Sequence, residues 1–269
     1  MVEFKKYKIG HRRFGLVNWV GAFSLYKKEV FRFLIVSGQT LIGPIITSIL
    51  FLLVISLAIG DSKKEVMGAP FILFLAPGLI AMQVIQQSFA HSSSSLVMSK
   101  MMGTIQDIIG SPLSSAEVTT SIILASVTRG FLISIISSTI FYFFLDLEIN
   151  SYTFFFVYLF LGCFILGSLG FIAGLYANKF DEMATITNFL IVPLSFLSGT
   201  FYSIKRLPDF LQTISYYNPF FHMIDGFRFA FINQVDGSIK FGIIYLSILS
   251  ITLWIIAYYL FKKGYKIKS

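Results

Sequence analysis

Few residues in this sequence are of a type and spacing that could do catalytic chemistry. The histidines, His11, His91 and His222, lie far apart, and Cys163 is the single cysteine. The chain lacks the G-x-x-x-x-G-K-[ST] phosphate loop and the H-E-x-x-H and G-x-S-x-G motifs of hydrolases. It also lacks the cysteines needed for a disulfide framework or a thiolate metal cluster. We therefore expect no catalytic, cofactor or metal site on this chain.

One charged side chain, Arg129, stands well inside an apolar stretch of the sequence. An ionised group at such a depth costs about 3 kcal/mol on insertion scales, so it must find polar partners. Two interpretations are open. Arg129 either snorkels to the cytoplasmic headgroups, or pairs with an acidic group such as Glu29 or Asp181 and holds that end of the protein in one of two states.

Three amides share one helix face, because Gln83, Gln86 and Gln87 are spaced at i, i+3 and i+4. They either form hydrogen bonds between helices or line a polar path. Four small residues in a later apolar stretch predict close approach of neighbouring helices: Gly162, Gly167, Gly170 and Gly174.

The composition indicates an integral membrane protein. Of 269 residues, 56% are hydrophobic and 13% charged, whereas a soluble domain carries roughly 25% charged residues. The apolar stretches, each long enough to cross a hydrocarbon core of about 30 Å, are 34–59, 71–90, 119–145, 152–177, 184–204 and 241–261. We expect an all-α polytopic membrane protein with six transmembrane helices.

The basic residues predict the orientation of this bundle. Six crossings place both chain ends on one side of the membrane. If that side is the cytoplasm, its segments hold fourteen lysines and arginines and the other side's segments hold five, as the positive-inside rule requires. The net charge of +8 then reflects residues that flank spans, and we expect no nucleic-acid partner.

Three regions follow from this organisation. Residues 1–33 form a basic cytoplasmic segment without the features of a cleaved secretory signal. Within it, helical spacing predicts a helix along the inner membrane surface, carried by Trp19, Phe23, Val30 and Phe33. Residues 34–261 form the six-helix membrane domain, and residues 262–269 form a basic cytoplasmic tail.

The cytoplasmic segment 96–109 carries an apolar face typical of a helix that lies in a partner's groove. Its members recur at spacings of three and four: Val97, Met98, Met101, Met102, Ile105, Ile108 and Ile109. Asp107, with Lys100 nearby, would supply a polar contact that fixes the orientation. The alternative is that this face lies on the bilayer.

The outer segment 203–239 is dense in phenylalanine and tyrosine, and a segment this apolar is not expected to stand in water. We expect it to dip into the outer leaflet as two short re-entrant helices. The break between them should fall at Asn218 and Pro219, because proline ends a helix and disfavours helical angles in the preceding residue.

Several sequence blocks, in this order, resemble the permease subunits of type-2 ABC exporters. They are KEVFRF (28–33), FLAPGL (74–79), TIQDIIGSPL (104–113), RG (129–130), FDE (180–182), LSGTFYSI (197–204), LP (207–208), YNPF (217–220) and IDGFR (224–228). Together they cover nearly the whole chain, and the blocks after residue 196 are the most specific. No block belongs to an ATPase domain.

The resemblance implies a homodimer in the bacterial inner membrane, with a path for a lipid, glycan or drug-like substrate between the copies. It also implies a separate ABC ATPase subunit that binds ATP and Mg, with membrane lipid as the surroundings. The residues expected to couple to that ATPase are Glu29, Met98, Met101, Met102, Ile105, Asp107 and Ile108. The residues expected at the outer gate are Asn218, Pro219, Asp225 and Arg228.

Two other classes compete with this interpretation. A stand-alone secondary transporter or channel would work without an ATPase, although the six spans do not divide into inverted halves as in many such transporters. A membrane-embedded enzyme would need clustered acid and base residues near one leaflet, and the sequence offers only scattered ones.

Overall fold

The structure, a computed structural model, describes residues 17–59 and 65–264. Residues 1–16 of the predicted N-terminal segment, Lys63 and Lys64, and residues 265–269 of the predicted tail lie outside this part. The helices are α1 (Trp19–Ile35), α2 (Gly43–Ile59), α3 (Phe71–Met101), α4 (Ile105–Gly110), α5 (Ser115–Leu145), α6 (Tyr152–Tyr176), α7 (Phe180–Ile186), α8 (Val192–Phe196), α9 (Asp209–Tyr217), α10 (Pro219–Ile232) and α11 (Ile239–Lys262). Strand β1 (Glu65–Val66) pairs antiparallel with β2 (Ala69–Pro70). The shorter turns are π-helical at Gly38–Ile42 and Thr187–Ile191 and 3₁₀ at Ile204–Arg206.

Five helical segments of the described chain are long and apolar enough to cross a membrane: Gly38–Ala58, α3, α5, α6 and α11. They confirm the all-α polytopic prediction. The predicted fifth stretch, 184–204, differs in its bounds, because the helical run covers residues 180–196 and ends before Leu197. A helix of that length spans about 26 Å, slightly less than a hydrocarbon core.

Helix α3 lies at the centre of the bundle, in contact with α2, α5, α6 and α10. Buried residues make up 72% of its most apolar window, against 17% for α11 and 28% for the span that contains α2. Because protein covers most of its sides, α3 is the helix around which the other helices pack.

The region of the predicted surface helix is helical, as α1, but its buried face differs from the expected one. The buried residues are Leu25, Glu29 and Phe33, whereas Trp19 and Phe23 are 75% and 63% exposed. The apolar residues therefore lie on two faces. The physical reason is that the inward face accommodates a carboxylate, Glu29, whose hydrogen-bond partners come from α1 and α3.

Close contact between α3 and α6 generates a stability prediction. A Cβ atom at Gly170 would overlap the backbone carbonyl of Phe89, whereas a Cβ at Gly162 would lie 3.8 Å from Met223. Because a backbone carbonyl cannot rotate away, we expect Gly170→Ala to lower the free energy of unfolding by about 1–3 kcal/mol. Gly162→Ala, the matched control, should change it by less than about 0.5 kcal/mol. Equal thermal unfolding midpoints for the two variants in one detergent would contradict the close contact.

Candidate functional site

The end of the bundle that carries α4, here called the α4 end, contains the predicted coupling segment. Residues 96–101 of that segment belong to the last turns of α3, where Leu96 and Val97 are buried. The chain then turns at Gly103 and continues as α4. The segment 96–109 is therefore two helical pieces with a turn between them, and its apolar residues do not form one face.

The turn separates accessible residues from anchoring ones. Met101 and Met102 are 57% and 67% exposed, and Asp107 is also exposed. Ile105 and Ile108 are buried in one cluster with residues of α1, α3, α5, α6 and α11. Met98 is half-buried. Of the predicted coupling set, Met101, Met102 and Asp107 are available to a partner, whereas the two isoleucines fix α4 to the bundle.

A groove of about 480 Å³ runs between α1 and α4. Lys28 on one wall and Asp107 on the other give it opposite charges, and Leu25, Ile108 and Leu113 supply apolar surface. The first turn of α1 is fixed to α5 beside this groove, because the Asn18 backbone N–H donates to Glu117 Oε1 at 2.6 Å. The α1 wall of the groove is thus attached to α5.

A buried carboxylate joins α1 to α3. Glu29 is 1% exposed, and its Oε2 accepts hydrogen bonds from Arg32 Nε at 2.9 Å and Ser95 Oγ at 2.8 Å. Lys28 Nζ lies 3.9 Å from its Oε1, and His91 Nε2 lies 4.0 Å from its Oε2. A buried charge requires such partners. Glu29 is therefore held inside the bundle and not on an accessible surface.

Arg129 is buried at the junction of α5, α3 and the first π turn. It is 6% exposed, its Nη2 donates to Gln87 Oε1, and its Nε donates to the carbonyl oxygen of Thr40 at 3.3 Å. It forms no ion pair with Glu29 or Asp181, both of which the structure describes. The structure corrects both interpretations of Arg129, because neutral acceptors inside the bundle hold the guanidinium.

The three glutamines of α3 have different surroundings. Gln83 is 7% exposed and Gln87 binds Arg129, so these two lie within the bundle. Gln86 is half-buried, as Gln87 is. It lies on a half-buried row of α3 residues at four-residue spacing, here called the accessible face of α3: Gln86, Ala90, Ser94 and Met98. Lining of a path by these amides remains a prediction.

At the opposite end of the bundle, here called the α10 end, Asn218 organises the break between α9 and α10. Its Oδ1 accepts the N–H of Phe220 at 3.0 Å and so caps α10, which begins at Pro219. Its Nδ2 donates to Ser198 Oγ at 2.9 Å, just after α8. An asparagine cap followed by proline is a favoured helix start. Here the cap also ties α10 to the chain that follows α8.

Arg228 of α10 is fully buried and fastens the irregular chain after α8 to α3. Its Nη2 donates to the carbonyl oxygens of Gly199 at 2.7 Å and Thr200 at 3.3 Å, and its Nε to that of Phe74 at 3.2 Å. The guanidinium carbon lies 3.9 Å from the Phe74 ring centroid. The backbones are so close here that a Cβ at Gly78 would lie 2.6 Å from the Thr200 oxygen.

Asp225 does not pair directly with Arg228 but binds the connection between α10 and α11. Its carboxylate accepts the N–H groups of Asp236 at 3.0 Å and Gly237 at 2.9 Å. Asp236 in turn accepts from Ser203 Oγ at 2.6 Å. The two carboxylates therefore order the loops on both sides of α9 and α10. Of the predicted gate residues, Asn218, Asp225 and Arg228 each bind backbone groups, and Pro219 is the first residue of α10.

Sequence reasoning missed several residues that fix these sites. Glu117 and Ser114 form a capping box at the start of α5, which the S-x-x-E spacing could have revealed. Ser95, His91 and Asp236 act through contacts with residues distant in sequence, so no local pattern indicates them.

Comparison with known proteins identifies the family. The model of the family described as ABC-2 type transporter matches residues 21–232, from α1 to the end of α10. The chain belongs to the ABC-2 type transporter family. The inner membrane transport permease YadH of Escherichia coli (strain K12) is 31% identical over 253 residues, or 93% of this chain and 98% of YadH. Nodulation protein J of Neorhizobium galegae is 23% identical over 231 residues, or 82% of this chain and 83% of that protein.

Membership of the ABC-2 family confirms the resemblance drawn from the sequence blocks. This chain is a transmembrane transport permease subunit and a multi-pass membrane protein. The matched region contains the predicted coupling residues Met101, Met102 and Asp107 and the predicted gate residues from Asn218 to Arg228.

The contacts of Arg228 predict that even replacement by lysine lowers the stability of the protein. Lysine keeps the charge but lacks the planar fork that reaches three carbonyls. We expect Arg228→Lys to lower the free energy of unfolding by about 2–3 kcal/mol, because hydrogen bonds to a buried charge are lost. Arg206→Lys, at an exposed arginine near the α10 end, is the control and should have a wild-type midpoint. A wild-type thermal midpoint for Arg228→Lys as well would refute the anchoring role.

Proposed function

We propose that this chain is the permease subunit of an ATP-driven exporter in which a separate ABC ATPase drives two copies of the chain. The observation that supports the proposal best is an accessible surface at the α4 end, here called the docking patch: Met101, Met102, Asp107 and Ile109. It combines flexible thioethers, an aliphatic side chain and one carboxylate, which suits a partner's groove. The chain itself lacks a phosphate loop.

The docking patch is rigidly attached to the membrane helices. Ile105 and Ile108 are 5% and 7% exposed and lie in a buried cluster with side chains of five other helices. Packed clusters of this kind move as units and do not deform continuously. A partner that displaces Met101 and Asp107 on closing over ATP would therefore tilt α3 and α5 together.

A path between two copies fits the packing better than a path within one. α3 occupies the centre of the bundle, and a path there would have to displace it. Its accessible face through Gln86 and the exposed side of the run 180–196, where Phe189 is 81% exposed, together offer surface to a second copy. In this arrangement the run 180–196 is the sixth crossing, and Gln86 faces the path.

The charges support an orientation with the α4 end in the cytoplasm of a bacterium, the membrane being the inner one. Described basic residues at that end are Lys27, Lys28, Lys100, Lys179, Lys262 and Lys263. An excess of lysine and arginine marks cytoplasmic segments. In this orientation α9 and α10 are re-entrant helices of the outer leaflet. The relative YadH carries the name of an inner membrane permease.

The exposed rings at the α10 end favour a substrate with extended apolar or sugar surface, and we propose a lipid, glycan or drug-like molecule. Phe210 and Tyr217 of α9 are 73% and 77% exposed. Aromatic rings pack against acyl chains and stack on sugar rings. Asn218, which caps α10, and Arg228 hold α10 in a fixed position. In the proposed orientation α10 is the outer gate, and the substrate would leave past it.

The docking patch is tested by binding of the ATPase that co-purifies with the chain. We expect the double variant Met101→Asp/Met102→Asp, and separately Asp107→Lys, to weaken ATPase binding at least about tenfold. Their unfolding midpoints should not change, because these side chains are exposed. Met101→Leu/Met102→Leu, which keeps the apolar surface, is the matched control. Wild-type affinity of both charged variants for the ATPase would contradict docking at this patch.

Reconstitution separates the exporter from a secondary transporter or channel. Vesicles that contain the chain and its ATPase should accumulate substrate only with ATP and Mg, whereas vesicles with the chain alone should not move it uphill. Uphill transport by the chain alone, driven by an ion gradient, would replace the proposal with a secondary transporter. Vesicles that contain the ATPase and the Met101→Asp/Met102→Asp variant are the control, and they should not accumulate substrate with ATP.

A further inference from the structure

A second cavity lies at the α10 end. It is a cleft of about 660 Å³ between the last turns of α5 and the first turns of α6. The residues that line this α5–α6 cleft include Ile135, Tyr142, Phe143, Glu148, Tyr152 and Phe156. Neither the docking patch nor the outer gate uses these residues.

The charge of this cleft is negative. Glu148 is exposed in its wall, and within the described part of the chain it forms no hydrogen bond or ion pair. Asp146, on the same connection, adds a second carboxylate nearby in sequence. None of the lining residues is basic. A carboxylate without a partner, beside low-dielectric walls, favours a cation.

The walls add a second feature that favours a cation. Tyr142, Phe143 and Tyr152 are 48%, 76% and 65% exposed, and the rings of Tyr142 and Phe143 lie edge to face with their centroids 5.5 Å apart. Aromatic faces attract ammonium groups through their quadrupole.

We propose that the α5–α6 cleft binds the headgroup of a membrane phospholipid with a primary ammonium group, of the phosphatidylethanolamine type. The ammonium lies against Glu148 and the rings of Tyr142 and Tyr152. The acyl chains lie along the membrane-facing side chains of Ile135 and Phe156, which are 45% and 44% exposed. A lipid is the occupant, and not a soluble cation, because both walls are membrane-spanning helices.

The cleft is connected to α10 through its floor. Phe155 is buried, and its ring centroid lies 5.2 Å from that of Phe227 and 5.8 Å from that of Phe231. The connection that carries Glu148 is also tied to α10, since the Asn150 and Ser151 N–H groups donate to the Ala230 oxygen at 2.8 and 3.0 Å. A bound lipid therefore stabilises α10 in the position seen here.

Lipid binding is tested on the purified full-length chain without any ATPase, so the result does not depend on the proposed exporter. Delipidated protein is titrated with dioleoylphosphatidylethanolamine or dioleoylphosphatidylglycerol, with bound lipid counted by native mass spectrometry. We expect the ethanolamine lipid to bind at least about tenfold more tightly than the glycerol lipid. It should also raise the thermal unfolding midpoint.

Glu148→Gln should remove the preference for the ethanolamine lipid, with about tenfold weaker binding and no rise in midpoint. Glu65→Gln, an exposed glutamate at the same end of the bundle, is the matched control and should bind like the wild type. Equal binding of the two lipids, or wild-type binding by Glu148→Gln, would overturn the proposal. Free ethanolamine that competes at the lipid's own concentration would also overturn it, in favour of a soluble cation.

Discussion

Three arginines hold three elements on the central helix α3, and the arrangement of the bundle depends on them: Arg129 and Arg228 are buried, and Arg32 is half-buried. Arg32 of α1 donates to the His91 carbonyl, Arg129 of α5 to the Gln87 side chain, and Arg228 of α10 to the Phe74 carbonyl. A charge inside a membrane protein is costly unless the protein satisfies it. Each guanidinium must therefore keep its acceptors, and each contact specifies one place along α3.

The same constraint explains where irregular backbone is tolerated. Carbonyls that leave a helix at membrane depth need donors from protein, because the bilayer core supplies no water. Arg129 serves the Thr40 carbonyl in the first π turn, and Arg228 serves the Gly199 and Thr200 carbonyls after α8. A guanidinium offers five donors in a fixed fork. One arginine can therefore donate to several carbonyl oxygens that have no N–H partner within a helix.

Hydropathy and proline were sufficient to predict most of the elements, since the number of apolar residues in a row sets what can cross a bilayer. Five spans and the change of helix at Asn218 and Pro219 followed from such local patterns. Burial of Ile105 and Ile108 did not, because a three-and-four spacing shows that a helix has an apolar face but not which neighbour covers it. The acceptors of Arg129 could not be predicted either. A guanidinium donates to amide and carbonyl oxygens as well as to carboxylates, and only the tertiary contacts decide among them.

The position of Arg228 along α3 also bears on how movement would reach the α10 end. α3 runs for 31 residues from Phe71 to Met101, so a displacement at Met101 is carried by one continuous helix. Pro77 lies inside it and removes one backbone hydrogen bond, and kinks in long helices occur at such positions. Arg228 binds the carbonyl of Phe74, in the same turn. The guanidinium therefore binds α3 in the turn that contains the proline, so tilting of the rest of the helix would leave α10 in place as long as this contact held.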